Sequence, residues 1–218
     1  MIFFIILLGL SPSIIWLIFF LKEDIHPEPK KMILKVFLAG AVISSIVLLF
    51  QIFAKDILDY FKFYENGLVS FFSLASIEEI FKFLAAYLVV RKSKFFDEPV
   101  DAMIYMIAAA LGFAAIENVL VNFGAVFSNN MEIKGVIAAM TLRFVGATLL
   151  HALSSGVVGY FWANRKIIIG LIFATLLHAF FNYFIILFDR VLLYPTLFLI
   201  IIAMFVFWDF EKLKRIIK

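Results

Sequence analysis

Two adjacent glutamates, Glu78 and Glu79, lie near the middle of the hydrophobic stretch 68–90, and Lys82 follows one helical turn later. A carboxylate at mid-depth in a bilayer is energetically costly, so an ionisable side chain inside a hydrophobic span indicates a functional site. Residues three and four apart share a helix face, which predicts Lys82 beside both glutamates. A Glu–Lys pair that only locks helix packing would explain one glutamate but not the second. We therefore interpret the two glutamates as the source of a general base that Lys82 tunes.

Three later hydrophobic stretches carry further polar groups at helical spacing. Arg143 and His151 are eight residues apart, and His178 and Asn182 are four apart, so each pair lies on one helix face. At about 1.5 Å per residue, the acids and histidines fall between mid-bilayer and the outer leaflet. We therefore expect one polar site built from several helices, whose later members are Glu117, Asn118, Arg143, His151, His178 and Asn182.

Carboxylates and histidines together support three kinds of chemistry. Glu78 or Glu79 can activate water, with His151 and His178 orienting it and Asn182 supporting the oxyanion. Alternatively, one glutamate and both histidines can hold zinc while the second glutamate acts as base. The same groups can also form a proton relay in a transporter. The chain has no His-Glu-x-x-His motif, so zinc is not indicated in its usual form.

Two other interpretations of the polar residues compete with a catalytic one. Glu117 and Arg143 are predicted at similar depth, so they can form a purely structural ion pair. Ser154 and Ser155 follow His151 on the same helix, but no nucleophile-elbow sequence surrounds them. A serine protease is therefore disfavoured.

The composition predicts a polytopic membrane protein. Hydrophobic residues make up 65% of the 218 residues, against roughly 45–50% in an average soluble domain. The chain contains no cysteine, which excludes disulfides, thiolate catalysis and cysteine-ligated metal. No basic run indicates nucleic acid as a partner. We expect the lipid bilayer as the solvent and a single domain, 1–218, with no separate soluble domain.

Seven stretches are long enough to cross a bilayer, which takes about 20 residues. The fold class is therefore all-α, a bundle of about seven membrane-spanning helices, and the fifth span is long enough to be tilted or broken near Gly146. The predicted spans are 2–21, 32–53, 68–90, 100–123, 135–163, 167–188 and 191–208.

Lysine and arginine predict the orientation of this bundle, because they concentrate in cytoplasmic loops. The loops after spans one, three and five and the C-terminal tail, including Lys218, hold thirteen basic residues. The opposite side holds four, namely Lys55, Lys62, Lys134 and Arg190. We therefore predict the N-terminus outside and the C-terminus inside.

The sequence resembles the PrsW family of intramembrane proteases, which are distant relatives of the CAAX-processing and bacteriocin-processing membrane proteases. The resemblance begins at 27–29 (Pro-Glu-Pro) and includes the Glu-Glu-x-x-Lys motif at 78–82. It continues through 96–101 with Tyr105 and through 112–118. It ends with 151–160 and with His178 and Asn182, so it covers most of the chain in order.

This resemblance implies a peptidase of the prokaryotic plasma membrane that cuts a single-pass membrane protein near its extracytoplasmic face. The best-known family role is the first cut of an anti-sigma factor, which opens a signalling cascade. The family has been classed both as metallopeptidase and as glutamic-type. Relatives often carry Asp where this chain has Asn182, and an amide binds hard metals less well, which favours the metal-free form.

We therefore predict an intramembrane endopeptidase in which Glu78 or Glu79 is the general base. In this prediction Glu117 and Asn118 complete the polar site, and Arg143 neutralises Glu117. No cofactor is favoured, although zinc on one glutamate, His151 and His178 is the alternative. Against zinc, no two histidines share a helix turn, and the sequence offers no obvious carboxylate partner for both rings, since Glu117 can serve only one. The preference for a metal-free reaction rests on the adjacent glutamates, whose mutual repulsion suits one of them to act as the base. The alternative class is a proton-coupled transporter, which often shows inverted repeats that this sequence lacks.

Overall fold

The computed structural model describes residues 1–188 and 191–217, and the side chain of Ile217 is not included. Arg190 and Lys218, which entered the count of basic residues, lie outside the described residues. Within the described part the chain forms eight α-helices, a short 3-10 helix (Leu21–Glu23), a π-helical turn (Gly124–Ser128) and no strand. In chain order the helices are α1 (Ile2–Phe20), α2 (Lys30–Tyr60), α3 (Leu68–Val90), α4 (Asp101–Phe123), α5 (Ile133–Val145), α6 (Ala147–Ala163), α7 (Ile167–Phe188) and α8 (Leu193–Ile217).

The predicted all-α membrane bundle is confirmed. Six helical segments are long and apolar enough to cross a membrane, and α5 and α6 together form one of them. Helix α3 is also 23 residues long, but it carries three charged side chains, Glu78, Glu79 and Lys82. All three are buried inside the protein, so α3 presents apolar residues outward. With α3, the bundle has the expected seven spans.

The helix boundaries differ from the predicted spans at two places. Helix α2 continues through Lys55 to Tyr60, so its C-terminal end lies about two turns beyond the predicted span 32–53. The last helix begins at Leu193 and extends well past Trp208. Polar residues at the end of a membrane helix lower hydropathy without breaking the backbone, which explains both extensions. The predicted break near Gly146 is present, since Gly146 has φ −105° and ψ −97° between α5 and α6.

Helix α4 forms the centre of the bundle and packs against α1, α2, α3 and α6. Every residue from Asp101 to Ala115 is buried. Glycines allow the closest approach, as is usual where membrane helices pack backbone to backbone. A Cβ on Gly112 would lie 1.9 Å from the carbonyl oxygen of Phe37, and a Cβ on Gly40 would lie 1.9 Å from that of Ala109. These two glycines fix α2 directly against α4.

The loop before α2 and the start of α4 form a second polar cluster, at the opposite end of α4 from Glu117. The Tyr105 hydroxyl donates a hydrogen bond to the Glu28 carboxylate. The ring nitrogen Nδ1 of His26 lies 2.7 Å from Glu98 Oε1. Asp101 and Glu117 are 16 residues apart, or about 24 Å along the helix. This cluster therefore joins two loops and takes no part in the site described below.

Candidate active site

Three side chains from three helices converge at one buried point. Helix α3 supplies Glu78, α6 supplies His151 and α7 supplies His178, and each is at most 9% exposed. Glu78 Oε2 lies 3.9 Å from His151 Nδ1 and 3.7 Å from His178 Nε2. One ligand atom from each residue lies within 4.8 Å of the other two. The sequence therefore identified residues that the fold brings together.

The outer ring nitrogens of both histidines contact carboxylates. His151 Nε2 lies 2.8 Å from Glu117 Oε2, and His178 Nδ1 lies 2.8 Å from Glu79 Oε1. An ionised carboxylate can only accept, so these two nitrogens carry the protons. The remaining nitrogens, His151 Nδ1 and His178 Nε2, then direct their lone pairs toward Glu78. This arrangement selects one tautomer for each ring.

Glu78 is held so that one of its oxygens stays unpaired. The Gln51 amide of α2 donates a 2.7 Å hydrogen bond to Glu78 Oε1. Glu78 Oε2 is buried and has no hydrogen-bond partner among the described residues. Gln51 was not among the predicted site residues. Its sequence position offered one indication, an amide side chain inside a hydrophobic stretch. Gln51 orients the carboxylate and leaves Oε2 facing the histidines.

Three acceptor atoms thus face one another, and this arrangement favours a cation bound among them. A buried acceptor without a donor is costly unless a donor or a cation approaches it. Lys82 Nζ already lies within hydrogen-bond distance of His151 Nδ1, so the acceptor left without a partner among the described residues is Glu78 Oε2. One carboxylate and two imidazoles match the protein ligands of catalytic zinc sites, which keep a further position open. Carboxylates on the outer nitrogens are the usual support of such ligands. The residues present therefore fit a divalent metal.

One sequence argument against zinc, the lack of a carboxylate partner for both histidine rings, is wrong. It held that only one histidine ring could find a carboxylate, with Glu117 as that partner. Glu117 does serve His151, but Glu79 serves His178. The error arose because Glu78 and Glu79 were treated as one unit. They are adjacent in sequence, and a helix turns about 100° per residue, so they point in different directions.

Glu79 and Lys82 form the buried support beneath the histidines. Lys82 Nζ donates to Glu79 Oε1 at 2.6 Å, and both side chains are fully buried. The same oxygen accepts a 3.1 Å hydrogen bond from Ser154. Lys82 was expected beside both glutamates, but its ion pair within the described residues is with Glu79. Ser154 was considered only as a protease nucleophile, and it instead stabilises the Glu79 carboxylate.

Lys82 also reaches the second histidine. Its Nζ lies 3.0 Å from His151 Nδ1. An ammonium group has donors and no acceptor, so His151 Nδ1 must be the acceptor in this contact. The contact agrees with the tautomer that Glu117 selects on the other side of the ring.

The predicted pairing of Glu117 with Arg143 is present. Arg143 Nη2 lies 3.2 Å from Glu117 Oε2, the same oxygen that contacts His151. Arg143 Nε donates to Asn118 Oδ1 at 2.6 Å, and Asn118 Nδ2 donates to Thr148 at 3.0 Å. The ion pair is therefore present as a structural contact, and its carboxylate also contacts His151, while a functional role for the pair stays a prediction.

Asn182 lies apart from the histidine cluster, on the wall of a neighbouring cavity. It follows His178 by one turn, and its side chain makes no hydrogen bond within the described part of the chain. The cavity has a volume of about 500 Å³, and Arg143 and Gly146 also line it. The acids and histidines were expected to line a single cavity. They instead pack closely together, and the large cavity lies beside them.

Comparisons with known proteins agree on one family. A model of the family described as "PrsW family intramembrane metalloprotease" matches residues 28–209. The chain is 30% identical to Protease PrsW of Bacillus subtilis over 166 residues, which is 75% of this chain and 70% of the relative. It is 25% identical to Protease PrsW of Oceanobacillus iheyensis over 184 residues, 80% of each chain. Another Protease PrsW, from Shouchella clausii, is 24% identical over 227 residues, 96% of this chain and 97% of the relative. No solved structure matches the chain.

Proposed function

The chain belongs to the PrsW family of intramembrane metalloproteases, and we propose that it hydrolyses a peptide bond of a single-pass membrane protein at the site formed by Glu78, His151 and His178. It is a multi-pass membrane protein and a peptidase, as its relatives are. The observation that carries the proposal is the unpaired Glu78 Oε2, which faces the lone pairs of two imidazoles. The proton-coupled transporter is set aside because the relatives are peptidases.

We propose that the site holds a divalent metal, with zinc as the best match to its donors. Glu78, His151 and His178 would hold it, and when bound it would polarise the scissile carbonyl and lower the pKa of water. Lys82 would release His151 Nδ1 and keep its bond to Glu79. Glu79 Oε2 is buried and has no hydrogen-bond partner in the described part of the chain, so Glu79 would be the carboxylate that accepts the proton of the attacking water.

A metal-free reaction is the second candidate, and the same observation supports it. Glu78 Oε2 is free to accept a proton from water. His151 and His178 would then orient that water, and Glu79 would serve only to position His178. The two candidates assign opposite roles to the adjacent glutamates, so they predict different behaviour for the two glutamine variants.

The proposed substrate enters from the membrane. The resemblance implies a single-pass protein cut near its extracytoplasmic face, with an anti-sigma factor as the family's best-known example. The excess of basic residues on one side predicts the N-terminus outside. In that orientation the acids and histidines fall between mid-bilayer and the outer leaflet, which supports a site near the extracytoplasmic face.

Co-expression with candidate single-pass membrane proteins tests the proposed activity. We expect wild-type protein to produce a defined pair of fragments, and Glu78→Gln and His178→Asn to abolish them. Glu132→Gln is the matched control, because Glu132 is exposed in the loop before α5. Fragments that persist in both active-site variants at equal protein levels would refute the assignment.

A further inference from the structure

The cavity beside the active site extends from the outside of the bundle to its interior. Its rim includes Ile185 and Leu142, which are 40% and 51% exposed. Its inner end includes Phe181 and Leu199, each 3% exposed. It lies between the break that separates α5 from α6 and the helices α7 and α8. A volume of about 500 Å³ is within the range of ligand-binding cavities, roughly 300–1,000 Å³.

Two residues connect this cavity to the active site. Asn182 lines it and lies one helical turn after His178. Arg143 also lines it and pairs with Glu117, which in turn contacts His151. An occupant of the cavity would therefore contact Asn182, one helical turn from His178, and Arg143, which is linked to His151 through Glu117. This continuity distinguishes the cavity from an apolar groove elsewhere on the surface.

The cavity walls combine apolar side chains with unpaired polar groups. The amide of Asn182 has no hydrogen bond within the described residues, although it can donate and accept. Gly146 and Ala147 also line the cavity. Both backbone groups of Gly146 are hydrogen-bonded, to Leu142 and Leu150, but Ala147 begins α6, and the first N–H groups of a helix have no intrahelical partner. A peptide backbone offers both complementary groups, whereas a lipid acyl chain would leave them unpaired.

Gly146 keeps this wall open. A Cβ at this position would lie 2.8 Å from the carbonyl oxygen of Leu142 and 3.4 Å from the Phe181 ring. A side chain here would therefore require the Leu142 carbonyl at the helix break to shift, whereas its contact with the Phe181 ring would be an ordinary one.

We propose that this cavity binds the apolar stretch of the substrate next to the scissile peptide bond, and that Asn182 hydrogen-bonds to the substrate backbone there. The inference rests on the proposed function and adds a specificity site to it. The preferred sequence would carry bulky apolar side chains on one side of the cut, as the end of a membrane-spanning helix does. Asn182 is a binding residue in this account, and Arg143 is a positioning residue that links the cavity to His151.

Photo-crosslinking in liposomes tests this assignment separately from cleavage. The probe is a Leu/Ala peptide of about 20 residues, long enough to span the bilayer, with a benzophenone side chain near one end. The protein carries Glu78→Gln, so that bound peptide is not consumed. We expect the label to map to the cavity walls formed by α7 and α8. Ile185→Trp should lower peptide binding about tenfold, equivalent to about 1.4 kcal/mol.

Ile172→Trp is the matched control, because Ile172 is an exposed isoleucine of the same helix that does not line the cavity. It should leave the labelling unchanged, and Asn182→Leu should weaken it. Labelling that is insensitive to Ile185→Trp, or that maps outside the cavity, would overturn the assignment. So would a photoreactive fatty acid that labels the cavity while the peptide does not. Cavity labelling without any cleaved substrate would instead refute the proposed function and leave the binding site standing.

Discussion

At the residue scale, the two adjacent glutamates have separate environments. Glu78 presents a free oxygen to two histidines, whereas Glu79 binds Lys82, Ser154 and one histidine ring. The sequence predicted that both would belong to the site. It could not assign their roles, because those depend on how α3 is rotated against α6 and α7. The rotation is a property of packing among several helices and not of local spacing.

Glu117 provides the first prediction, because it supports His151 from outside the reacting centre. Glu117→Gln keeps a hydrogen-bond acceptor but removes the charge that holds the Nε2 proton and pairs with Arg143. Loss of such a partner typically lowers metal affinity 10- to 100-fold. We expect a weakening of about that size in a zinc competition titration of the purified protein. Unchanged affinity in Glu117→Gln, with Glu132→Gln as control, would show that the Glu117 contact does not support a metal ligand.

At the element scale, the position of each helix was easier to predict than its end. Hydropathy identified all seven spans and the break at Gly146, since glycine interrupts a helix that is otherwise apolar throughout. It failed for the end of α2, whose last two turns or so carry Lys55, Asp56 and Asp59 but are still helical. It also gave no indication that α4 would be central. The signal for that was the number of alanines and glycines in α4, which permit close packing on several faces at once.

Gly112 tests the packing of α4 against α2. In Gly112→Ala, the new Cβ would lie 1.9 Å from the Phe37 carbonyl oxygen, so the two backbones must separate. Overpacking of this kind lowers the free energy of unfolding by about 1–3 kcal/mol. We expect a value near the upper end, because two helix backbones are in direct contact here. Thermal unfolding in detergent measures the loss. Gly124→Ala is the control, because nothing lies within 4 Å of a Cβ there. Equal unfolding temperatures for the two variants would contradict the close helix contact.

The loop before α2 gives a prediction about pH. Burial, the largest influence, raises the pKa of the Glu28 carboxyl above its ordinary value of 4.5, and the Tyr105 hydroxyl partly opposes this. The folded protein then binds a proton at Glu28 more tightly than the unfolded chain does. The resulting stabilisation is complete below the ordinary pKa and is lost as pH rises through the raised value.

We therefore expect the unfolding temperature of wild type, relative to Glu28→Gln, to be highest near pH 4 and to fall toward neutral pH. Melting curves of both proteins in the same detergent across this range provide the measurement. Glu65→Gln, in the exposed loop before α3, should follow wild type at every pH. A difference in unfolding temperature, wild type minus Glu28→Gln, that grows as pH rises would contradict the raised pKa of Glu28.

At the scale of the whole molecule, the bundle builds a polar centre inside an apolar protein. Helices α3, α4, α6 and α7 each contribute an acid or a histidine, and α2 and α5 orient them through Gln51 and Arg143. The sequence revealed the set because each polar residue is unusual in a membrane helix. It could not reveal the cavity or the pairing of Glu79 with His178, since both depend on contacts between distant helices.

Orientation in the membrane is a prediction at this scale. The basic residues are thirteen to four in favour of one side, so the C-terminus should be cytoplasmic. An alkaline phosphatase reporter, which is active only outside, should be inactive after 218 and active in the loop 61–67 between α2 and α3. A fluorescent reporter that folds only inside should give the reverse pattern. Opposite results would place the active site toward the cytoplasm and remove the argument for extracytoplasmic cleavage.

The central claim is that Glu78, His151 and His178 hold a catalytic divalent metal, and elemental analysis of purified variants with a cleavage assay tests it most directly. We expect one zinc per chain in wild type, loss of activity on strong chelation, and recovery when zinc is restored. Glu78→Gln should lose both metal and activity. Glu79→Gln removes the carboxylate from His178, so it should bind zinc about 10- to 100-fold more weakly but still hold it at saturating zinc, and it should lose activity. Full activity after chelation, with substoichiometric metal in wild type, would contradict the claim and make Glu78 the base of a metal-free peptidase.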